Sequence, residues 1–193
     1  MSKMTDTRPL SVDPRRDAVL DAALGVFSAY GYRRTTMADL AHAAGVSRPA
    51  LYLFYANKEA LFRALASRLL SRQLAAAIAA LDDVGPPGRV LERAILARDL
   101  EVFRLFAASP HGNEIAAEGN ARIADLHSDA EAGFASVLSR WLKSKGATKA
   151  AATARMIGAA AHGIKQMAAD EADYLALIRQ LAAVVTASLQ DQG

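Results

Sequence analysis

Cysteine is absent from all 193 residues. That excludes disulfides, thiol nucleophiles and cysteine-ligated zinc together, and it suits a reducing compartment. No uninterrupted apolar run approaches the roughly 20 residues of a bilayer-spanning helix; alanine-rich stretches such as Leu74–Leu81 are far too short. The opening MSKMTDTRPLSVDPRR contains no apolar run that could act as a signal peptide. A soluble cytoplasmic protein without a membrane partner is the expectation. Proline is scarce, at six residues, which leaves room for long helices. Excess charge is also small, +3 overall, but unevenly placed. Residues 1–70 hold ten Lys/Arg against six Asp/Glu, and residues 71–193 hold thirteen against fourteen. A basic first third points weakly to an anionic partner, and a solvated surface accounts for four surplus charges equally well.

What is present is helical pattern from end to end. Good helix formers dominate, and period-2 alternation is missing. Asp13 as N-cap and Pro14 at the first helical position open a helix whose Val19, Leu20, Ala23, Leu24 and Phe27 share a face, and Gly31 ends it. Thr36 and Asp39 form a capping-box-like start to a short helix ending near Ala43. After a turn at Ala44-Gly45-Val46, Ser47 caps a third helix to about Phe54, and Asn57 caps a fourth to about Leu81. Asp82–Gly88 breaks the chain, and helices are expected over Arg89–Ala108, a short stretch to Glu118, Ala121–Ser144, Lys149–Ala169 and Ala172–Leu189. The last has Leu175, Ile178, Leu181, Val185 and Leu189 on its buried side. The fold class is therefore all-α, about nine helices: three short ones in front of a larger bundle.

Residues 36–55 meet the steric needs of a helix-turn-helix. Ala41 is small where two steeply crossing helices meet, and Gly45 takes the positive φ of the turn. Leu40, Ala44, Val46 and Leu51 lock the second helix onto the first and onto Phe27. Ser47, Arg48, Pro49, Ala50, Leu53 and Phe54 are then left on or near the groove-facing side. An ordinary αα-hairpin accommodates the same residue types, so the template alone does not decide.

The flanks narrow the choice. Val19–Phe27 (VLDAALGVF), Gly31–Ala41 (GYRRTTMADLA), Ala44–Ser47 (AGVS) and Leu51–Phe62 (LYLFYANKEALF) together resemble the N-terminal domain of the TetR/AcrR family of transcriptional regulators, without a gap from about Arg16 to Leu65. Beyond residue 70 the resemblance rests on length and helical pattern. It implies a DNA-binding unit over residues 1–60 and a ligand-binding and dimerisation unit over 61–193. It also implies that Thr36 offers its hydroxyl and helix N–H groups to a phosphate, and that Tyr52 and Lys58 touch the DNA backbone. Arg48 is the candidate for reading guanine O6 and N7, with Arg33 and Arg34 adding phosphate contacts. Any one of these arginines is equally well explained as solvated surface. Pro49 stands where the family often has Gly, Ala50 replaces a frequent small hydroxyl residue, and Phe54-Tyr55 inverts the usual aromatic order, all of which bears on the operator sequence.

No catalytic constellation emerges. His42, His111, His127 and His162 are scattered, no Gly-rich phosphate loop occurs, and the chain is not expected to be an enzyme or to hold a cofactor. His111 with Glu114, or His127 near Asp125 and Asp129, has ligand-like spacing, for which a polar helix surface is the plainer account, so no metal is expected. Leu69, Phe103, Phe106, Ile115, Leu126, Phe134 and Trp141 read first as core. By the resemblance, a cavity among the middle helices takes a small, hydrophobic effector, with Leu69, Phe103, Phe106, His111, Ile115, Leu126 and Phe134 as candidate lining residues. The small-residue helix Lys149–Ala169 and the helix Ala121–Ser144 are expected to form a four-helix homodimer interface. The reading is a regulator, most simply a repressor, that leaves an inverted-repeat operator on double-stranded DNA when the effector binds. Gating by a protein partner is the alternative.

Overall fold

Caps and breakers divide the chain much as the sequence predicts. The computed structural model describes residues 14–190, and these form nine α-helices and no strand. Asp13 and the side chain of Leu189 lie outside what is described. Helix α1 (Pro14–Arg34) is broken at Gly31, whose φ of 78° and ψ of 167° end the regular helix and turn Tyr32–Arg34 into a corner. Helix α2 (Met37–Ala43) carries a full capping box: the Asp39 N–H donates to Thr36 Oγ1, and the Thr36 N–H donates to the Asp39 carboxylate. Gly45 (φ 65°) makes the turn into α3 (Arg48–Phe54), capped by Ser47. Asn57 caps α4 (Lys58–Leu81).

Helices α5 (Pro87–Ala108), α6 (Gly112–Arg122), α7 (Ala124–Ser144), α8 (Ala150–Met167) and α9 (Glu171–Gln190) complete the order. The expected short helix to Glu118 runs a turn further, and α7 starts at Ala124 instead of Ala121. Ile123 causes both changes: its non-helical backbone (φ −129°, ψ 26°) separates the two helices while its side chain is buried in the N-terminal core.

Two apolar cores result. The N-terminal one joins Val19, Leu20, Phe27, Leu40 and Leu51 to Leu61, Phe62 and Leu65 of α4 and to Ile115 and Ile123. Phe27, Tyr32 and Phe62 form a trio of rings with centroids 5.0–5.8 Å apart. The second core gathers Ala77, Leu81, Leu91, Ile95, Phe134, Leu138, Leu142, Ile157 and Ile178. Helix α4 has the length and hydropathy of a membrane span, yet it is the element both cores share: its first turns belong to one and its last to the other. Helices α5 and α7 pack on α4, α9 on α5 and α8 on α7.

Candidate functional site

Burying Leu51 completely fixes which way α3 faces. Ser47, Arg48, Pro49, Tyr52 and Leu53 are then exposed in a row, Leu53 at 86%, while Ala50 is half-buried. Arg48 lies with its guanidinium 5.8 Å from the Tyr52 ring centroid, so two candidate DNA contacts rest against each other. Phe54 departs from the expected groove face: it is half-buried against the N-terminal core, and its carbonyl accepts a bond from Arg16 at 2.9 Å. Tyr55 is buried beside it, with Arg16 over its ring. A short helix docked through Leu51 cannot present 54 and 53 equally, and Leu53 takes the outward place.

The corner between α1 and α2 is built from charge. Lys58 Nζ donates to the carbonyls of Tyr32 and Thr35, both at 2.8 Å, and of Arg33 at 3.3 Å, and sits 4.4 Å from the Tyr32 ring centroid. All three of its donors are thereby used inside the protein. Burial, then the nearby Arg122 charge, holds its pKa below the usual lysine value. The Thr36 hydroxyl likewise donates inward, to Asp39 Oδ2 at 2.8 Å. A phosphate reaching either residue has to compete with these bonds. Arg34 is exposed, whereas the Arg33 guanidinium is committed to Glu118 at 2.7 Å.

Helix α6 grips this corner. Glu114 accepts the Arg33 backbone N–H at 2.9 Å, and Glu118 accepts from both Arg33 and Arg122. Arg122 reaches on to Glu59 at 2.9 Å and lies 4.6 Å from the Tyr32 ring centroid. The bond from Arg33, then that from Arg122, holds the Glu118 carboxyl below its ordinary pKa. From α5–α6, the Ser109 hydroxyl donates to the Ser28 carbonyl at 2.7 Å. Sequence reasoning missed this clasp because its partners are 81 to 85 residues apart.

Between the two cores lies a cavity of about 1050 Å³. Of the expected lining residues, Leu69, Phe103, Phe106, Ile115 and Phe134 line it, as does Ala108. His111 does not: its Nδ1 turns to Glu114 Oε2 at 3.6 Å. Leu126 does not either, being half-buried against the N-terminal core. Leu24 and Phe27 of α1 reach the cavity directly, so the N-terminal core forms part of its wall.

The polar wall was also missed. Arg98 and Asp99 of α5, His127 and Glu131 of α7, and His162 and Lys165 of α8 all line the cavity. Arg98 and Asp99 are only 5% and 3% exposed. Arg98 bonds Asp99 at 3.0 Å and Glu131 at 3.2 Å, and Lys165 bonds Asp99 at 3.3 Å. Burial, reinforced by Lys165, keeps the His127 pKa below the ordinary imidazole value. The signal was Arg98 continuing the buried α5 stripe of Leu91 and Ile95. Among the described residues no three His, Asp or Glu side chains converge on a metal-sized site.

Residues 19–65 match the family model described as bacterial regulatory proteins, tetR family. The HTH-type transcriptional repressor ComR of Escherichia coli (strain K12) is 44% identical over 70 residues, covering 36% of this chain and 32% of that protein. The HTH-type transcriptional regulator RutR of the same strain is 34% identical over 90 residues, 47% of this chain and 42% of its own. The chain thus matches less than half the length of these curated relatives. In fold it is similar to the fatty acid degradation regulator FadR from Bacillus halodurans, with a TM-score of 0.67 at 20% identity, covering 90% of this chain and 95% of that one.

Proposed function

Because this chain belongs, through residues 19–65, to the tetR family of bacterial regulatory proteins, we propose that it is a cytoplasmic, dimeric, DNA-binding transcriptional repressor released from an inverted-repeat operator by a small, largely apolar effector. The observation that carries the reading is the position of the cavity. Its wall includes α1 of the DNA-facing unit and α4, which both cores share, together with α5, α6, α7 and α8. A molecule lodged there touches the unit that carries α3 without an intermediary. This favours a small molecule over a protein partner as the signal.

Helix α6 supplies the coupling. Ile115, Ala116 and Gly119 face the cavity, while Glu114 and Glu118 of the same helix hold the Gly31–Arg33 corner. Displacing α6 by a ligand therefore displaces the entry to α2 and, through it, α3. The α4 rod, rooted at Lys58, carries the same motion. A ligand acts only through its preference for the DNA-incompetent state; a 100-fold loss of operator affinity needs about 2.7 kcal/mol of differential binding. Linkage then requires operator DNA to weaken ligand binding by the same factor. Ala108→Trp, which fills the cavity from its α5 wall, is expected to lower operator affinity with no ligand added. The tests are fluorescence titrations with and without operator; equal ligand affinity in the two would remove the tested molecule as inducer.

On the DNA side, Arg48→Ala is expected to relax base preference at one position per half-site, costing about 1–3 kcal/mol on the right sequence. Lys58→Ala is expected to weaken binding to all sequences alike and to make the log–log salt slope shallower by about one. Because Lys58 also ties three carbonyls of the α1–α2 corner, the same variant should lower thermal stability. An affinity loss with an unchanged salt slope would assign Lys58 to the corner alone.

We propose that dimerisation uses α8 and α9. The outer side of α7, where an interface with α8 was expected, presents Asp129, Ser136, Arg140 and Lys143. Exposed apolar side chains fall instead on α8, at Met156 and Met167, and on α9, at Val184.

A further inference from the structure

The cavity is apolar at one end and charged at the other, and this polarity limits what it can hold. On the side of α1, α4 and α6 its wall is Leu24, Phe27, Phe62, Leu65, Leu69 and Ile115. Across from them, α5, α7 and α8 supply Arg98, Asp99, His127, Glu131, His162 and Lys165. The two cations and two carboxylates of this wall cancel.

Unused hydrogen-bonding capacity breaks the tie. Asp99, the buried carboxylate, is filled at both oxygens, by Arg98 and by Lys165. Glu131 accepts from Arg98 through one oxygen and is half-exposed, so water reaches the other. At the α8–α9 mouth Glu171 pairs with Arg104 at 2.5 Å, and Asp170 accepts the Asp173 N–H at 2.8 Å. The buried acceptor of the wall is thus occupied. Donors are not. Lys165 makes one bond of its possible three, and Arg98 Nε is buried without a partner. A cationic guest seeking the buried carboxylate would have to take Asp99 from Arg98 or Lys165, leaving a buried cation short of its partner at high cost. An anionic guest finds donors ready.

We propose that the cavity selects amphipathic molecules with an apolar body and a single anionic head, the body lying against α1, α4 and α6 and the head between Lys165, His127 and His162. This rests on the reading of the cavity as the effector site. Binding is coupled to proton uptake. His127 faces Arg98 and Asp99 of α5, Glu131 of its own helix, and His162 and Lys165 of α8. Burial, then the Lys165 charge, holds its pKa below the ordinary imidazole value, and an anion placed among these groups raises it again. Affinity for the anion therefore rises as pH falls.

The test is calorimetric titration of the full-length protein with three molecules that share one tail: dodecanoate, dodecanol and dodecyltrimethylammonium, each below its aggregation concentration. Dodecanoate is expected to bind about tenfold tighter than the other two, the worth of one charge-assisted hydrogen bond. Its affinity should increase from pH about 8 to about 6, with proton uptake from the buffer, while that of dodecanol stays level. Lys165→Met should remove most of the preference and leave dodecanol affinity unchanged. The variant His127→Gln should flatten the pH dependence, and circular dichroism establishes that both variants are folded. Equal affinity for dodecanoate and dodecanol, with operator release by both, overturns the anionic head while the effector cavity stands. Preference for the ammonium overturns it in favour of the acidic side chains. Failure of all three to bind or to release operator overturns the cavity reading and this proposal with it.

Discussion

Gly31→Ala is expected to cost about 2–4 kcal/mol of unfolding free energy, a large share of a domain's margin. Two physical effects add. With φ 78° and ψ 167°, Gly31 lies in a region of backbone space that is essentially glycine's alone, and any side chain there is strained by about 1–3 kcal/mol. An added Cβ would also stand 2.6 Å from Glu114 Oε2 and 2.8 Å from Oε1. That carboxylate is not a free chain end, because it accepts the Arg33 N–H at 2.9 Å. Moving it away gives up a charge-assisted bond. The two effects separate in a double-mutant cycle with Glu114→Ala, which should relieve the contact and leave the backbone strain, so the pair is less than additive. Urea denaturation of the four proteins reads the result. A parent-like midpoint for Gly31→Ala would mean that the corner is not held as described.

The same corner marks the boundary of what the sequence could tell. Gly31, the Thr36–Asp39 box, Gly45 and the Ser47 and Asn57 caps are local devices, each complete within four residues, and all were legible. So was the buried face through Leu40 and Leu51, which helical spacing alone exposes. Lys58 was read by its neighbours in sequence, as a cation at a helix start, but its partners are carbonyls 23 to 26 residues upstream. The role of α6 depends on where Arg33 and Glu118 meet in space, which no periodicity records. Phe54 and Leu53 differ by one residue on a helix of two turns, so only the docking of α3 could say which looks outward. Five aromatic and aliphatic cavity residues were found because apolar stripes are visible in sequence. The charged wall was not, since Arg98, His127 and Lys165 converge from three helices.

Substituting Met156 and Val184 together by glutamate is expected to give a folded monomer and to lower operator affinity by about 10²–10⁴. Met156 and Val184 are 55% and 58% exposed, on helices α8 and α9 that pack on each other. Ala152, Ala159 and Gly163 flank Met156 on the exposed side of α8, with Met167 at its end, and Leu177 and Leu181 lie half-buried near Val184. Small residues on one helix let a symmetry mate approach closely, and in a two-fold interface each new carboxylate meets its own copy as well as apolar surface. Neither side chain belongs to the second core, so the fold should survive and its thermal transition should move little. The DNA effect is large because α3 is a seven-residue helix that reaches only a few bases. Its second copy, one helical turn or more along the duplex, binds at an effective concentration set by the dimer. Lys143→Glu, on the polar outer side of α7, is the control and should leave a dimer of full affinity. Sedimentation velocity reads assembly, and titration of a labelled inverted repeat reads binding. Loss of the dimer in the control with its retention in the double variant would move the interface to α7, and a monomer that keeps parental affinity would make assembly irrelevant to recognition.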